Sequence, residues 1–566
     1  MATSTTKTVV PGVERPSAVL AALRKVGRDG ATSLGWLEAH IPALSVGSLG
    51  ARPEALVALA TGLARLAHDR QLVLLDRDDE LVVARLDVPG SIVETIQTVQ
   101  HRGIVCAEMF HSDEPGPGLD RALEIQRYVF ARRPGPDAAG AAPPPAIPAR
   151  LRRDVLAGAE ARTPPVPPRE AVRFLELLWG SGELAIRRAS AGQLVQLVWL
   201  LDQCEAHQGV FLAAEERGDG AKDEAHVLFA LRSPPQRDFI AQVMEVFNAL
   251  DLGVRRSFTL TLAAGPQPVF VGSFHLQHRK GETIAPGSPI FRRLRAELHN
   301  TQILNTDAPT YRDFVLARLM TGEEASLVNA FIGFCHTNCA HNQPSRYTLE
   351  DVIRAFHSDP EMSLRLVRLF EVRFDPEVQD RDARFARESE ELEREIAAYN
   401  TGHRGIDEFR RSLYRTALAF IRRTLKTNFY VAEKHALAFR LDPAYLADLG
   451  PDFTADLPPE RPFRVTFFCT RSGVGFHIGF SDIARGGWRT ILTESRDDYV
   501  TVANYVFREN YVLAHTQHLK NKDIYEGGSK LVVVMRVPDL SPTASGRGSS
   551  CRRCSTASRA RSSISS

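Results

Sequence analysis

Residues 521–535 read NKDIYEGGSKLVVVM. A polar turn leads into two glycines, Gly527 and Gly528, then Ser529 and Lys530, and then an apolar run of five residues. Four to six branched or apolar residues bounded by a turn read as a buried strand. The lysine thus sits where solvent gives way to core, and a desolvated ammonium gives up its proton more readily. Upstream, RDDYVTVANYVFRENYVLAHTQ (496–517) has helical character, and FRVTFFCT (463–470) and GFHIGFSD (475–482) alternate as strands around RSGVG (471–475). From residue 462 onward the pattern is therefore α/β.

DIARGGWR (482–489) supplies a second basic motif about 40 residues earlier. Its glycines, Gly486 and Gly487, allow close backbone approach. Arg485 and Arg489 flank them, and a guanidinium grips a carboxylate through two parallel hydrogen bonds. The run Gly473, Gly475, Gly479 lacks the spacing of a dinucleotide fingerprint and joins two strands, so it reads as a hairpin. CHTNCAH (335–341) offers Cys335, His336, Cys339 and His341, but no second ligand pair stands at finger spacing, so no metal is assigned.

The rest of the 566-residue chain is too long for one core. Residues 1–70 read as a helical segment. In 71–112, QLVLLD and ELVVARLD are strands, DVPG a turn, SIVETIQTVQHRG a helix and IVCAEMF a strand. The Pro- and Ala-rich stretch 113–170 reads as a linker. A second α/β block, 171–285, loosely repeats the order of strand, proline turn, helix, Gly253 and strand. Residues 286–440 are mainly helical, with Phe409, Leu413, Ala417, Phe420, Ile421 and Leu425 on one stripe. Residues 441–540 form the block with the two basic motifs. The last 26 residues (541–566) hold ten serines, five arginines and no acid. They read either as a disordered end or as a shifted reading frame after about residue 540, and the shifted frame is preferred.

The formal charge of +2 gives no case for nucleic-acid binding. No apolar run reaches the length of a membrane span, and the N-terminus carries no signal peptide. Seven mostly isolated cysteines fit a reducing cytoplasm.

With LKTNFYVAEKHALAFRLDP (425–443), GFHIGFSDIARGGWR (475–489) and NKDIYEGGSK (521–530) taken together, the chain resembles the Glu/Leu/Phe/Val dehydrogenases. The resemblance is nearest to the large NAD-specific glutamate dehydrogenases. It is clear over roughly 410–540. It implies an α/β multidomain protein: ACT-like regulatory modules at 71–112 and 171–285, a helical middle, and the start of the substrate domain. It also implies that the NAD-binding Rossmann domain and the catalytic aspartate, which follow the lysine in that family, are absent from this chain. By the same resemblance Lys530 matches the catalytic lysine. Arg485, Gly486, Gly487 and Arg489 match the segment that binds the substrate α-carboxylate, with Arg485 in place of a lysine. The second substrate lysine lies a dozen residues earlier. Ungapped counting lands on His518, and a two-residue gap selects Lys520, the preferred choice. Tyr525 stands where the large class usually has proline.

The implied reaction is oxidative deamination of L-glutamate to 2-oxoglutarate and ammonia with NAD as hydride acceptor, in a homo-oligomer. An amino-acid effector at the ACT-like modules is implied too. As it stands the chain is expected to be inactive alone. The rival expectation is a non-catalytic, amino-acid-binding regulatory protein.

Overall fold

A computed structural model describes residues 28–41, 53–131, 146–181, 186–187, 189–207, 209–215, 224–235, 239–262, 268–431 and 434–536. The tail expected at 541–566 lies outside the described residues. The chain divides into two compact units, Met1–Arg292 and Arg293–Ser566. No helix among the described residues is long and apolar enough to cross a membrane.

The first unit opens with α1 (Arg28–His40) and α2 (Pro53–Gly62). The strands expected at 71–76 and 80–87 form as β1 (Gln71–Arg77) and β2 (Glu80–Leu86), paired antiparallel. Gly90 takes φ 86° before helix α3 (Ser91–Val99). That left-handed angle is open to glycine at little cost, so the Pro-Gly turn falls where the sequence places it. β3 (Ile104–Pro115) and β4 (Ala122–Phe130) follow. After them come α4 (Ala149–Glu160), α5 (Pro168–Gly180) and α6 (Ala191–Ala206), then β5 (Val210–Glu215), β6 (Ala225–Arg232), α7 (Phe239–Ala249), β7 (Leu252–Leu262) and β8 (Val269–His278).

All eight strands form one sheet in the order β1-β2-β4-β3-β7-β8-β6-β5. Read inward from either edge, the order is the same: first, second, fourth and third strand of a repeat, with β3 and β7 antiparallel at the centre. A single sequence interval relates Ser91 to Phe239, Ile104 to Leu252, and the cross-strand pair Glu108–Arg127 to the pair Arg256–His275. The loose repeat in the sequence is thus a repeat of topology and register. α4, α5 and α6 pack with Leu228, Ala230, Leu260, Leu262 and Val271 into one core.

Three boundaries change. The first α/β block does not stop at 112, because β3 runs to Pro115 and pairs with β4. The stretch 113–170 is not a linker throughout. Leu123, Ile125 and Tyr128 of β4 are buried, and α4 lies beyond. The Ala- and Pro-rich run that shaped the expectation lies mostly within 132–145, outside the described residues. Nor are the two α/β blocks separate modules, since their strands share hydrogen bonds along β3 and β7.

In the second unit, α8 (Gly322–Cys339), α9 (Leu349–His357), α10 (Pro360–Phe374), α11 (Arg381–Ala398) and α12 (Arg404–Arg423) make the helical region. Leu413, Ala417, Phe420 and Ile421 are fully buried as the stripe requires. Leu425 is 53% exposed, because the helix ends at Arg423 and Leu425 belongs to β9 (Thr424–Thr427). The second sheet therefore begins before residue 441, with β9 and β10 (Leu437–Leu441). It continues with β11 (Arg464–Thr470), β12 (Gly473–Gly479), β13 (Ala484–Arg485) and β14 (Trp488–Thr493). Helix α13 (Arg496–Lys520) and β15 (Gly527–Arg536) complete it.

β11 and β12 are the expected hairpin, closed at Thr470 and Gly473. The apolar run of β15 is an inner strand, antiparallel to β12 and parallel to β14. Its far side is covered by β13 and β14. Leu531, Val533 and Met535 pack on Ala436, Ala438 and Phe468.

Candidate substrate-binding site

The two basic motifs meet at the start of β15. β13 sets Arg485 opposite Gly528, and β14 sets Trp488 opposite Leu531, both parallel. Leu531 donates its N–H to the Gly487 carbonyl at 3.2 Å. Lys530 is half-buried, and its Nζ lies 3.7 Å from where a Cβ on Gly487 would stand. The structure thus brings Lys530 beside the Gly486-Gly487 segment.

The glycines do different work from one another. A Cβ on Gly486 would fall 1.6 Å from the Ser529 carbonyl oxygen, and one on Gly528 would fall 1.9 Å from the His518 backbone nitrogen. Both positions are glycine because protein backbone stands where a Cβ would be. Gly487 is the open one, facing the Lys530 ammonium.

Arg485 pairs with Glu526 at 3.1 Å with its side chain 64% exposed, and Arg489 pairs with Glu509 at 2.5 Å with its side chain 50% exposed. Exposed pairs of this kind are worth only about 0–1 kcal/mol, so either guanidinium can exchange its partner for a substrate carboxylate at small cost. Lys520 is exposed on the last turn of α13. His518, the alternative to it, is committed on both ring nitrogens. Nδ1 accepts the Gly528 N–H at 3.2 Å, and Nε2 lies 3.3 Å from Glu460. Neither contact was legible in the sequence. The one signal was a histidine ten residues before Gly528, the second glycine of a pair.

The CHTNCAH ligand types do not converge. Cys335 Sγ lies 3.6 Å from the Leu413 carbonyl and Cys339 Sγ 3.7 Å from Thr416 Oγ1. His336 Nε2 bonds Asn504 Oδ1 at 2.8 Å, while His341 Nδ1 faces Asp456 at 3.4 Å. Burial pushes the Cys339 thiol up to about 11 and His336 down to about 4.

Among the described residues, Asp87, His111 and Glu124 of the first unit alone bring three metal-ligand types together. The imidazole lies between the acids, with Nδ1 3.3 Å from Asp87 and Nε2 3.0 Å from Glu124. Each nitrogen faces its own carboxylate, which is the arrangement of a protonated ring bridging two acids. Arg279 at 3.2 Å from Asp87, and Ser91 at the start of α3 donating to Glu124 at 2.8 Å, already add positive potential there, so a proton suits the cluster better than a divalent cation. Burial opposes the charge, but the two carboxylates overcome it and lift His111 to about 9. Burial also opposes the Asp87 charge, and His111 and Arg279 together hold that carboxyl well below its usual range.

No family model matches this chain. Among curated proteins, the NAD-specific glutamate dehydrogenase of Saccharomyces cerevisiae is 42% identical over 123 residues, 22% of this chain and 11% of that protein. Glutamate dehydrogenase 2 of Dictyostelium discoideum is 42% identical over 129 residues, 23% of this chain and 12% of that protein. The NAD-specific glutamate dehydrogenase of Neurospora crassa is 43% identical over 111 residues, 20% of this chain and 10% of that protein. What this chain is similar to, over about a fifth of its length, is the NAD-specific glutamate dehydrogenases, and it matches about a tenth of the length of those relatives.

Proposed function

We propose that residues 463–536 carry the glutamate side of an NAD-dependent glutamate dehydrogenase reaction, the oxidative deamination of L-glutamate to 2-oxoglutarate and ammonia. The observation that carries this is the Lys530 ammonium against the open face of Gly487, in a chain similar to proteins of that name. In this reading Arg485, Arg489 and the Gly486-Gly487 backbone hold the substrate α-carboxylate, and Lys520 takes a second substrate oxygen. Lys530 is the catalytic residue. It polarises the reacting carbon and orients water for hydrolysis of the imine.

NAD is the cofactor that the relatives' names carry. The glycine run in β12 does not fit it: a Cβ on Gly473 or Gly475 would meet the β15 backbone at 2.2 or 2.5 Å, so those glycines serve strand packing. The function proposed here is accordingly binding and polarisation of substrate. The duplicated first sheet supports reading its halves as ACT-like modules that take an amino-acid effector. A homo-oligomer in the cytoplasm belongs to the same reading.

The test is protection. Trinitrobenzenesulfonate modifies Lys530 at a rate read by peptide mass spectrometry, and 2-oxoglutarate is expected to slow it at least fivefold, with Arg485→Ala abolishing the effect. Equal rates with and without 2-oxoglutarate would remove the proposal.

A further inference from the structure

We propose that His518 is a positioning residue for Lys530, acting through the acceptor nitrogen Nδ1. The idea rests on Lys530 being the reactive lysine, and it concerns what holds that lysine in place. A Gly-Gly pair two residues before a reactive side chain reads as a hinge. Here it is fastened at every polar backbone atom. Gly527 N–H donates to Ile483 O at 2.8 Å, and Asn521 Nδ2 donates to Gly527 O at 3.1 Å. Gly528 N–H donates to His518 Nδ1 at 3.2 Å, and Phe480 N–H donates to Gly528 O at 3.0 Å. Of the four, the His518 bond is made by a side chain whose chemistry selects a single tautomer. With Nδ1 accepting, the proton sits on Nε2, toward Glu460. Phe480 stacks on the ring, with centroids 5.6 Å apart and planes 25° apart, which fixes its orientation.

The consequence is geometric. α13 and β15 are joined at the point where Gly528 touches the His518 backbone, and Lys530 lies two residues along the same strand. Loss of the acceptor leaves a buried N–H unmatched. The strand start then relaxes, and Lys530 leaves its place against Gly487.

Two conservative variants separate the ring nitrogens. In His518→Asn the side-chain oxygen can stand where Nδ1 stood. In His518→Gln the side chain reaches toward Glu460 and has no acceptor at the Nδ1 position. The readout is the trinitrobenzenesulfonate labelling rate of Lys530 relative to the exposed Lys522 in the same chain. His518→Gln is expected to raise the ratio roughly five- to tenfold, the equilibrium worth of one hydrogen bond to a buried donor, while His518→Asn stays within about twofold of the parent. Equal ratios in the two variants, raised or not, would overturn the assignment, because a purely structural histidine would not distinguish them. Failure of 2-oxoglutarate to protect the parent chain would instead count against the substrate reading and leave this ratio to be judged by itself.

Discussion

The two halves of the first sheet share strand order, helix placement and register, yet carry opposite chemistry at the matched pair His111–Glu124 and Thr259–Gly272. In the first half His111 stands opposite Glu124, buried, with Asp87 closing a three-residue ion cluster. In the second half the same positions are Thr259 and Gly272, also directly opposed. There the ring of Phe274 fills the space beside Gly272, and Thr259 Oγ1 donates to the Ala107 carbonyl at 3.3 Å. The topology therefore does not need the charges. Apolar alternation and a glycine or proline turn specify it twice, and the ion cluster is an addition to one copy that makes that copy dependent on protonation.

The largest expected effect comes from breaking the charged half. Glu124→Leu leaves Asp87 and His111 without the third member, and losing one partner of a buried ion group typically costs about 3–5 kcal/mol. Hydrogen exchange of β3 and β4 amides should accelerate accordingly. Unchanged exchange there would mean that the cluster is not a stabilising element. Next comes pH. Folded His111 holds its proton to about 9, against 6.5 for an unperturbed histidine. Its contribution is thus whole below pH 6.5 and is lost as pH rises through 9, amounting to roughly 3 kcal/mol. Denaturant titrations from pH 6 to pH 10 should show this slope in the parent, and His111→Gln should flatten it. A parallel slope in the variant would place the titration elsewhere.

Much of this fold was legible because its signals are local. DVPG marks the turn at Gly90, period-two patterns mark β11 and β12, and the apolar run after Lys530 marks a strand. The approach of Lys530 to Gly487 followed from two glycine-flanked basic motifs in one block. What escaped depends on packing across distance. The His518 bond exists because a helix end lies on a strand start. Asp87, His111 and Glu124 come from three separate segments, and Glu124 sits in an alternation, ALEIQRYVF, whose polar members gave no hint of which face is buried. The expected linker failed for the opposite reason: a strongly biased composition at its centre hid regular structure on either side.

At the uncharged positions of the second half, effects should be smaller and separate from the His111 titration. Gly272→Ala puts a methyl group 2.4 Å from the buried Phe274 ring, and the ring must move. Overpacking of this kind costs about 1–3 kcal/mol, visible as faster exchange in β7 and β8 with no change in β4. A neutral outcome would show that Phe274 has a second rotamer available.

The smallest effect, and the sharpest test of the comparison, is Thr259→Val. Thr259 is 2% exposed, at the position that matches His111. Valine keeps nearly the same shape and removes one neutral hydrogen bond to the Ala107 carbonyl, a net loss of about 0.5–1.5 kcal/mol. Because no charge is involved, the loss should be equal at pH 6 and pH 10. The parent's alkaline slope should survive intact in this variant, since it originates in the other half. If Thr259→Val altered that slope, the two halves would be coupled through the β3–β7 ladder, and the protonation of one copy would be felt in the core of the other.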